Sequence, residues 1–406
     1  MEHRTLQLGN GLRVVLVPRP GPLAMVWVRY HVGAADDPPE HRGLAHLVEH
    51  LLFTGSKHTY DADAADQLYQ ARALGANGAT AMRTTDYYAT VPRANLERVL
   101  WLESDRMGFM RGEVTRAEIK LAREVVGTEL RILHNDEHAR LFGRVHNAVY
   151  PLPHPLFDPE DAGTLEKVDV AVVEAFLARW VVPANAQIVV AGDLPGDAER
   201  LVQRYFGDLR GGATPVRAAV PPSPLAGEVR LRDVSGRALI KIGWPSPAQW
   251  SAEDAAADVV ATLLVHNAAG RLWAEDGPVA RLEAQQVSRA GGSMFVVQAL
   301  GRSGARAEEV LIAVDEAVRA VTRISEDELS VARRLLTVEL VNEGEDLAGM
   351  VGLVHSHWTG FGKADGLVEA LRRYEVVDVV DVVKFVEGTL LAGPRAVLLA
   401  EPGGAA

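Results

Sequence analysis

With 406 residues, the chain is too long for one ordinary hydrophobic core and favours two domains of about 200 residues each. Cysteine is absent, which excludes disulfide bonds, thiolate metal sites and cysteine nucleophiles, so a bound metal ion would need His, Asp or Glu ligands. A formal net charge of −12 argues against a nucleic-acid-binding surface. No apolar run approaches the roughly 20 residues that span a bilayer, and residues 1–8 lack the pattern of a signal peptide. We therefore expect a cytoplasmic protein with neither a nucleic-acid nor a membrane partner.

The first half alternates between β-rich runs and helical patterns. A hairpin is predicted at its start, with strands at 12–17 and 24–32 joined by a turn that contains Pro18 and Pro22. A loop rich in Gly, Asp and Pro leads into an apolar helix predicted at 44–53. The elements predicted after it are a helix at 64–74, a strand at 87–91, and long helices at 95–107 and 115–134.

A proline-rich stretch without hydrophobic periodicity separates the two halves, and we predict domains at 1–212 and 226–406 joined by a linker at 213–225. The elements predicted in the second half are strands at 228–232, 238–243 and 294–300, and helices at 252–264, 307–321 and 326–341. This order loosely repeats that of the first half. The second domain therefore resembles a diverged copy of the first that lacks its His-containing motif, and both are α+β units.

Three ionisable side chains share one face of the predicted helix 44–53. His46 and His50 are four residues apart, which is one helical turn, and Glu49 lies three residues from His46. The other residues of this helix are apolar, so burying these groups would be costly unless they are paired or bind a metal. An isolated histidine pair would more often make ordinary hydrogen bonds, but Glu49 and the apolar surroundings favour a metal. Imidazole suits zinc, and a catalytic zinc ion takes three protein ligands plus a water molecule, whose proton Glu49 could accept.

The third protein ligand has two candidates on the predicted helix 115–134, Glu124 and Glu129. Helical spacing places Glu129 on the face of Ala122, Val126 and other apolar residues, whereas Glu124 shares a face with polar side chains. A carboxylate on the buried face needs a cation, while Glu124 can be solvated. Helical spacing therefore selects Glu129.

Residues 43–55 resemble the "G-x-A-H-x-x-E-H-x-x-F-x-G" signature of the M16 metallopeptidases, the inverzincins. Residues 123–129 are similar to the helix that carries the distal glutamate of that family, and again select Glu129. The resemblance extends to Gly270-Arg271-Leu272 in the second half and covers nearly the whole chain. It implies an α+β fold class with two homologous domains, each an antiparallel-dominated sheet packed with helices, that together form half of a clam-shell chamber.

The resemblance also implies a set of roles for individual residues. His46, His50 and Glu129 would ligate one Zn²⁺ per chain, and Glu49 would activate the water molecule that attacks a peptide carbonyl. The peptide would add a strand to a sheet edge, with Asn77, Gly78, Ala79 and Thr80 as the substrate-binding residues. Judged from the residues alone, Asn77 could equally be a turn residue between a helix and a strand, and both interpretations stay open.

Two departures from the family pattern affect these expectations. Ala122 stands where many relatives carry a further glutamate near the metal. In the second half, Pro278 and Gln285 occupy the places of a substrate-binding Arg and Tyr pair. The half-length chain and the missing pair predict the catalytic subunit of a dimer, preferably a heterodimer with an M16 homologue that lacks the metal motif and supplies the pair.

The resulting prediction is a zinc-dependent endopeptidase that cleaves unfolded peptides in a chamber, with leader peptides among the possible substrates. A homodimer with other substrate-binding residues is the second arrangement. The alternative function is a non-catalytic M16-like scaffold or assembly subunit. Such subunits typically lose metal ligands, whereas this chain keeps all four residues of the site. A metal-dependent hydrolase of a non-peptide substrate is disfavoured by the extent of the resemblance.

Overall fold

The computed structural model describes residues 2–59, 64–110, 112, 114–151, 159–217, 224–266, 277–289 and 292–402. The segment Gly270-Arg271-Leu272 and residues 218–223 of the predicted linker lie outside this part of the chain. Among the described residues, no helix is both long enough and apolar enough to cross a bilayer.

The strands and helices of the described residues are numbered in chain order. The strands are β1 Arg4–Gln7, β2 Arg13–Pro18, β3 Leu23–Tyr30, β4 Gly75–Thr80, β5 Thr85–Pro92, β6 Ala186–Gly192, β7 Glu228–Ser235, β8 Leu239–Pro245, β9 Val279–Val287, β10 Met294–Gly301 and β11 Arg395–Pro402. The helices are α1 Leu44–Leu51, α2 Ala64–Gln70, α3 Leu96–Phe109, α4 Arg116–Asn135, α5 Glu137–Val149, α6 Val170–Trp180, α7 Ala198–Phe206, α8 Ala252–His266, α9 Ala307–Val321, α10 Glu326–Glu343, α11 Leu347–Phe361, α12 Leu367–Glu375 and α13 Val379–Phe385. The predicted strands and helices of both halves are confirmed with shifted ends.

The chain divides into two compact units that are not contiguous in sequence. Unit 1 comprises Met1–His134, His154–Ala218 and Glu343–Gly366, and unit 2 comprises Asn135–Pro153, Ala219–Asn342 and Leu367–Ala406. The units therefore differ from the predicted ranges 1–212 and 226–406, because α5 belongs to unit 2 and α11 to unit 1. Periodicity predicts that a helix forms, but not the sheet on which it packs.

Unit 1 is built on a six-stranded sheet with the order β1-β2-β6-β3-β5-β4. Only the β2–β6 pair is parallel. Ala24, Val26 and Val28 of β3 face a core formed with α1, α3, α4, α6 and α7, while Met25 faces residues of α11. Because both faces are covered, β6 is buried at every position. The strand β4 lies at the edge of this sheet, beside α1.

Unit 2 is built on a five-stranded sheet with the order β7-β11-β8-β10-β9, in which only β7 and β11 are parallel. Ile240, Ile242 and Trp244 of β8 face a core formed with α8, α9, α10 and α13. On the opposite face, Leu239 contacts a smaller cluster that includes Val145 of α5. This sheet thus matches that of unit 1 strand for strand, except that the described residues contain no counterpart of β1.

Helix capping shows that the two units are diverged copies of one design. Three capping residues of the first half have counterparts about 210 residues later in the chain, each accepting a backbone N–H from the first turn of a helix. The pairs are Thr115 and Ser325 before α4 and α10, Asp136 and Asp346 before α5 and α11, and Asp169 and Asp378 before α6 and α13. The repeat predicted from the sequence is therefore present in the structure.

Candidate active site

The helix α1 is held at its N-terminus by a carboxylate from the preceding loop. Gly43 precedes the helix at a φ of 89°, a left-handed conformation that favours glycine. Asp37 accepts hydrogen bonds from the backbone N–H groups of Gly43 at 2.7 Å and Ala45 at 2.8 Å. Burial raises the pKa of Asp37 to about 7, against the opposing effect of these hydrogen bonds. Sequence inspection missed Asp37 because it lies several residues before the helix, outside the usual capping position.

Two histidines of α1 and one glutamate of α4 meet at one point. The Nε2 atoms of His46 and His50 are 3.2 Å apart. One carboxylate oxygen of Glu129, Oε2, lies 3.1 Å from His46 Nε2 and 3.2 Å from His50 Nε2. Among the described residues, no other three His, Asp or Glu side chains offer ligand atoms this close together. The structure thus brings together the three residues predicted as metal ligands.

This triangle has the size that a tetrahedral zinc ion requires. Bonds of about 2.0–2.1 Å from zinc to its ligands place neighbouring ligand atoms about 3.3–3.4 Å apart. The three observed separations, 3.1, 3.2 and 3.2 Å, are close to this value. Burial and the neighbouring His50 lower the pKa of His46, which favours the neutral imidazole that binds metals. Three ligands also leave one tetrahedral position for a water molecule.

The prediction that Glu129 lies on a buried face is wrong, although the residue chosen does join the triangle. The side chain of Glu129 is 43% exposed, and Val125, one turn earlier on the same helix, is also exposed. The buried residues of α4 are Ile119, Ala122, Val126 and Leu130, so Glu129 lies at the border between the buried and exposed faces. Glu124 points to solvent beside Lys120, with their charged groups 4.0 Å apart.

Glu49 is buried against the edge strand β4. Its carboxylate oxygen Oε2 accepts a hydrogen bond of 2.6 Å from Thr80 Oγ1. Burial raises the pKa of Glu49 above its ordinary value, and the hydrogen bond from Thr80 lowers it. The charges of His50 and Glu129 also act on this pKa, in opposite directions. Glu49 therefore stands beside the triangle, in an environment that increases the basicity of its carboxylate.

The four residues predicted to bind substrate all belong to β4, so the turn interpretation of Asn77 is wrong. Asn77 pairs with Tyr88 and Thr80 with Thr85 in the antiparallel ladder. Side chains alternate along a strand, so Gly78 and Thr80 face α1 while Asn77 and Ala79 face away from it. The local signal was misleading because a Gly-rich strand resembles a turn until its partner is known.

A group of residues around Arg106 supports α1. The hydroxyl of Tyr87 donates to the main-chain oxygen of Glu49 at 3.3 Å. The guanidinium of Arg106 lies 4.6 Å from the ring of Tyr87 and 5.3 Å from that of Phe53, and it is paired with Glu103. The contacts of Tyr87 with Glu49 and of Arg106 with the two rings join residues that are far apart in the sequence, so no local pattern could have indicated them.

In unit 2, acidic residues occupy the sequence positions that correspond to the three triangle residues, and we call them the acidic counterpart. Asp254 and Asp258 are four residues apart on α8, as His46 and His50 are on α1. Glu339 follows Ser325 by the same number of residues as Glu129 follows Thr115. Asp254 and Glu339 both raise the pKa of Asp258, which burial brings to about 7.

A guanidinium neutralises this acidic group. Arg373 of α12 donates to Asp254 Oδ2 at 2.8 Å, and its guanidinium lies 4.8 Å from the ring of Trp250. The adjacent Tyr374 donates to Asp258 at 3.1 Å. Further donors to Asp254 among the described residues are Trp250 N, Gln286 Nε2 and Ser288 Oγ. A side chain of the protein thus supplies the cation in unit 2.

The two departures from the family pattern lie at different places. His46 Nδ1 is buried without a hydrogen-bond partner among the described residues, and Ala122 supplies no carboxylate that could accept from it. Gln285 lies on the edge strand β9, opposite Val296, and Pro278 directly precedes that strand. Neither offers the donor of an Arg or the phenol of a Tyr.

Comparison with protein-family models decides the family. The model described as "Insulinase (Peptidase family M16)" matches residues 13–160, and the one described as "Peptidase M16 inactive domain" matches residues 167–336. The chain belongs to peptidase family M16. The two matches divide the chain as the internal repeat does, with the His-containing half under the first description.

Relatives in this family are named as zinc proteases. The chain is 24% identical to "Zinc protease PqqE" of Helicobacter pylori over 86% of its own length and 82% of that protein. It is 28% identical to an uncharacterized zinc protease of Mycobacterium tuberculosis over 93% of its own length and 89% of that protein. These proteins are of similar length to this chain, which makes it an M16 protein of the half-length type.

Solved structures share the M16 fold over nearly the whole chain. A protease from Helicobacter pylori superposes with a TM-score of 0.85 at 20% identity, covering 99% of this chain and 100% of that one. The periplasmic protease PqqL from Escherichia coli superposes with a TM-score of 0.84 at 17% identity, covering 99% of this chain and 48% of that one. An M16 inactive-domain protein from Pseudomonas fluorescens has the same TM-score at 16% identity. At these identities the likeness shows the fold alone.

Proposed function

We propose that this chain is a zinc-dependent endopeptidase of unfolded peptides. The observation that carries the proposal is the triangle of His46, His50 and Glu129, with edges of 3.1–3.2 Å, beside the buried carboxylate of Glu49. A structural role for these residues would leave two imidazoles, the buried carboxylate of Glu49 and the partly exposed carboxylate of Glu129 together without a cation, at considerable cost. The zinc-protease names of the relatives support the same reaction class.

The three triangle residues would hold the metal, and Glu49 would move the proton. A bound zinc ion would lower the pKa of its water molecule and polarise the peptide carbonyl. Glu49 would accept a proton from the attacking water molecule while the water oxygen forms a bond to the carbonyl carbon. The same carboxyl group would then give that proton to the amine nitrogen as the C–N bond breaks.

The outer edge of β4 would bind the peptide backbone. The hydrogen bond from Ala81 N to Thr84 O, 2.8 Å long, closes the β4–β5 hairpin. Along an antiparallel pair, residues alternate between those whose backbone groups bond to the partner strand and those whose groups point outward, and Ala81 is of the first kind. The N–H and C=O groups of Ala76, Gly78 and Thr80 therefore point away from β5. An extended peptide can pair with these groups as an added strand, with recognition of its main chain rather than of a folded surface. Glu49 contacts the face of β4 that is turned toward α1, so a strand added to β4 would run beside the base.

We also propose that the active enzyme is a dimer, preferably a heterodimer with an M16 homologue that lacks the histidine motif. Pro278 and Gln285 support this proposal, because neither can hydrogen-bond a substrate as the Arg and Tyr expected at these places would. The homologue would supply the missing donors in a chamber that the two chains enclose. Co-purification with such a homologue tests the arrangement, and full peptidase activity of this chain alone would refute it.

The compartment and the substrate belong to the same proposal. We propose a cytoplasmic enzyme, with leader peptides as a substrate class, to be tested by fractionation of cells that produce the chain at its native level. The relative PqqL of Escherichia coli is described as periplasmic, so recovery in the periplasm is the result that would overturn this compartment.

Cleavage of a mixed peptide library tests the reaction itself. The wild-type chain and Glu49→Gln are compared with and without the candidate partner, and the zinc content of each protein is measured. The proposal expects zinc in both proteins and cleavage only by the wild type, abolished by a chelator. Zinc-free wild-type protein that cleaves nothing with any partner would instead favour the non-catalytic scaffold.

A further inference from the structure

The strand β4 contacts the catalytic carboxylate directly as well as offering a free edge. Thr80 was predicted to bind substrate, yet its hydroxyl donates to Glu49 Oε2 at 2.6 Å. A hydroxyl has one proton to donate, so this contact leaves none for a peptide carbonyl. The side chain of Thr80 therefore serves the base, while its main-chain groups stay available at the outer edge.

A second residue of the same strand borders the other oxygen of Glu49. A Cβ atom at Gly78 would lie 2.7 Å from Glu49 Oε1 and 2.8 Å from Phe53 Cε2, closer than atoms can pack. Gly78 and Thr80 are two residues apart and present the same face of β4 to α1. The carboxylate is thus bounded by a bare α-carbon at Oε1 and by a hydrogen-bond donor at Oε2.

This arrangement restricts the rotation of a side chain that would otherwise have several rotamers. An unbound glutamate has three rotatable bonds, and a general base acts only when its oxygen lies within reach of the proton. The hydroxyl of Thr80 orients the carboxylate, and the close backbone of Gly78 leaves no room for rotation toward β4. Charge-assisted hydrogen bonds of this length are among the stronger ones in proteins.

We propose that Thr80 is a positioning residue, which holds the carboxylate of Glu49 in one orientation beside the triangle, where it can accept the proton of the attacking water. This inference rests on the proposed function, because it assigns Glu49 the role of general base. It makes β4 a structural link between the two parts of the reaction, since the strand that pairs with the peptide also sets the orientation of the base.

Three variants at position 80 separate positioning from substrate binding and from folding. Thr80→Val keeps the shape and loses the donor, Thr80→Ala removes the side chain, and Thr80→Ser keeps the donor. Thr5→Val, an exposed Thr on β1 at the opposite edge of the same sheet, is the matched control. For each protein, kcat and KM for one library-derived peptide, the zinc content and the thermal midpoint are measured.

The inference expects Thr80→Val and Thr80→Ala to lower kcat by about 10- to 100-fold, the worth of one hydrogen bond to a charged group, with KM, zinc content and midpoint close to wild type. Thr80→Ser should recover most of kcat, and Thr5→Val should equal the wild type. Unchanged kcat in Thr80→Val, a loss confined to KM, or a loss that follows the zinc content would overturn the inference while leaving the proposed function intact. A wild type that does not cleave would overturn both.

Discussion

Replacing Arg373 by alanine should strongly destabilise unit 2, because it leaves a buried carboxylate without its cation. The side chain of Asp254 is 2% exposed and that of Arg373 is 16% exposed. Removing one partner of a buried ion pair costs about 3–5 kcal/mol in other proteins. The contact of Arg373 with the ring of Trp250 contributes about 0.5–1 kcal/mol more, while the other donors to Asp254 retain part of its stabilisation. We expect a net loss of about 3–4 kcal/mol.

Scanning calorimetry provides the measurement, with the adjacent Arg372→Ala as the matched control because Arg372 is exposed on the same helix. For a unit of this size the loss corresponds to a fall in the thermal midpoint on the order of 10 °C. The control should shift the midpoint by no more than about 2 °C. Combining Arg373→Ala with Asp254→Asn should recover part of the loss, since the carboxylate is then neutral. Equal midpoints for the two arginine variants would refute the reasoning.

Three further predictions concern the site, its support and its counterpart. Gly78→Ala should lower kcat by at least about 10-fold, because its Cβ would displace Glu49 Oε1, and unchanged kinetics would count against the packing described. Asp37→Ala should lower the free energy of unfolding, measured with denaturant, by about 1–2 kcal/mol and should weaken zinc binding, because two N–H groups at the start of α1 lose their acceptor. A variant equal to wild type in both assays would contradict this. Burial raises the pKa of Asp258 to about 7 in the folded chain, above its ordinary value in the unfolded chain. The unfolded chain therefore loses the carboxyl proton at a lower pH, and the free energy of unfolding falls as pH rises from about 4 to 7. Asp258→Asn should remove that part of the pH dependence of the thermal midpoint, whereas parallel curves for the two proteins would contradict it.

The residues of α1 were the part of the site that sequence could predict most completely. Two histidines and a glutamate at helical spacing in an apolar helix specify a shared face without tertiary information. The choice of Glu129 depended on burial, and there the argument failed in its premise: the site is open on the side of α4, so the ligand lies at the border of the buried face. Helical periodicity limits the candidate ligands to one side of a helix, but it does not give the exposed fraction of a single side chain.

The elements that sequence could not place are those defined by distant partners. β4 is a strand because Asn77 and its neighbours pair with β5, and its Gly-rich local sequence favours a turn. β6 lies between β2 and β3 although it follows them by more than a hundred residues. The assignment of α5 to unit 2 and of α11 to unit 1 also depends on distant partners, because the sequence of an amphipathic helix does not show which sheet the helix packs on. The hydroxyl contact of Thr80 with Glu49 depends on the placement of β4 beside α1.

Zinc stoichiometry is the measurement that tests the central claim most directly. The purified wild type, His46→Ala, Glu129→Gln and Glu124→Gln are loaded with zinc, desalted and analysed by mass spectrometry for the metal. Glu124 is the matched control, since it lies on the same helix with its side chain 64% exposed. We predict one zinc ion per chain in the wild type and in Glu124→Gln, and a large loss in the other two variants. Equal zinc content in all four proteins would contradict the assignment of the triangle as the metal site.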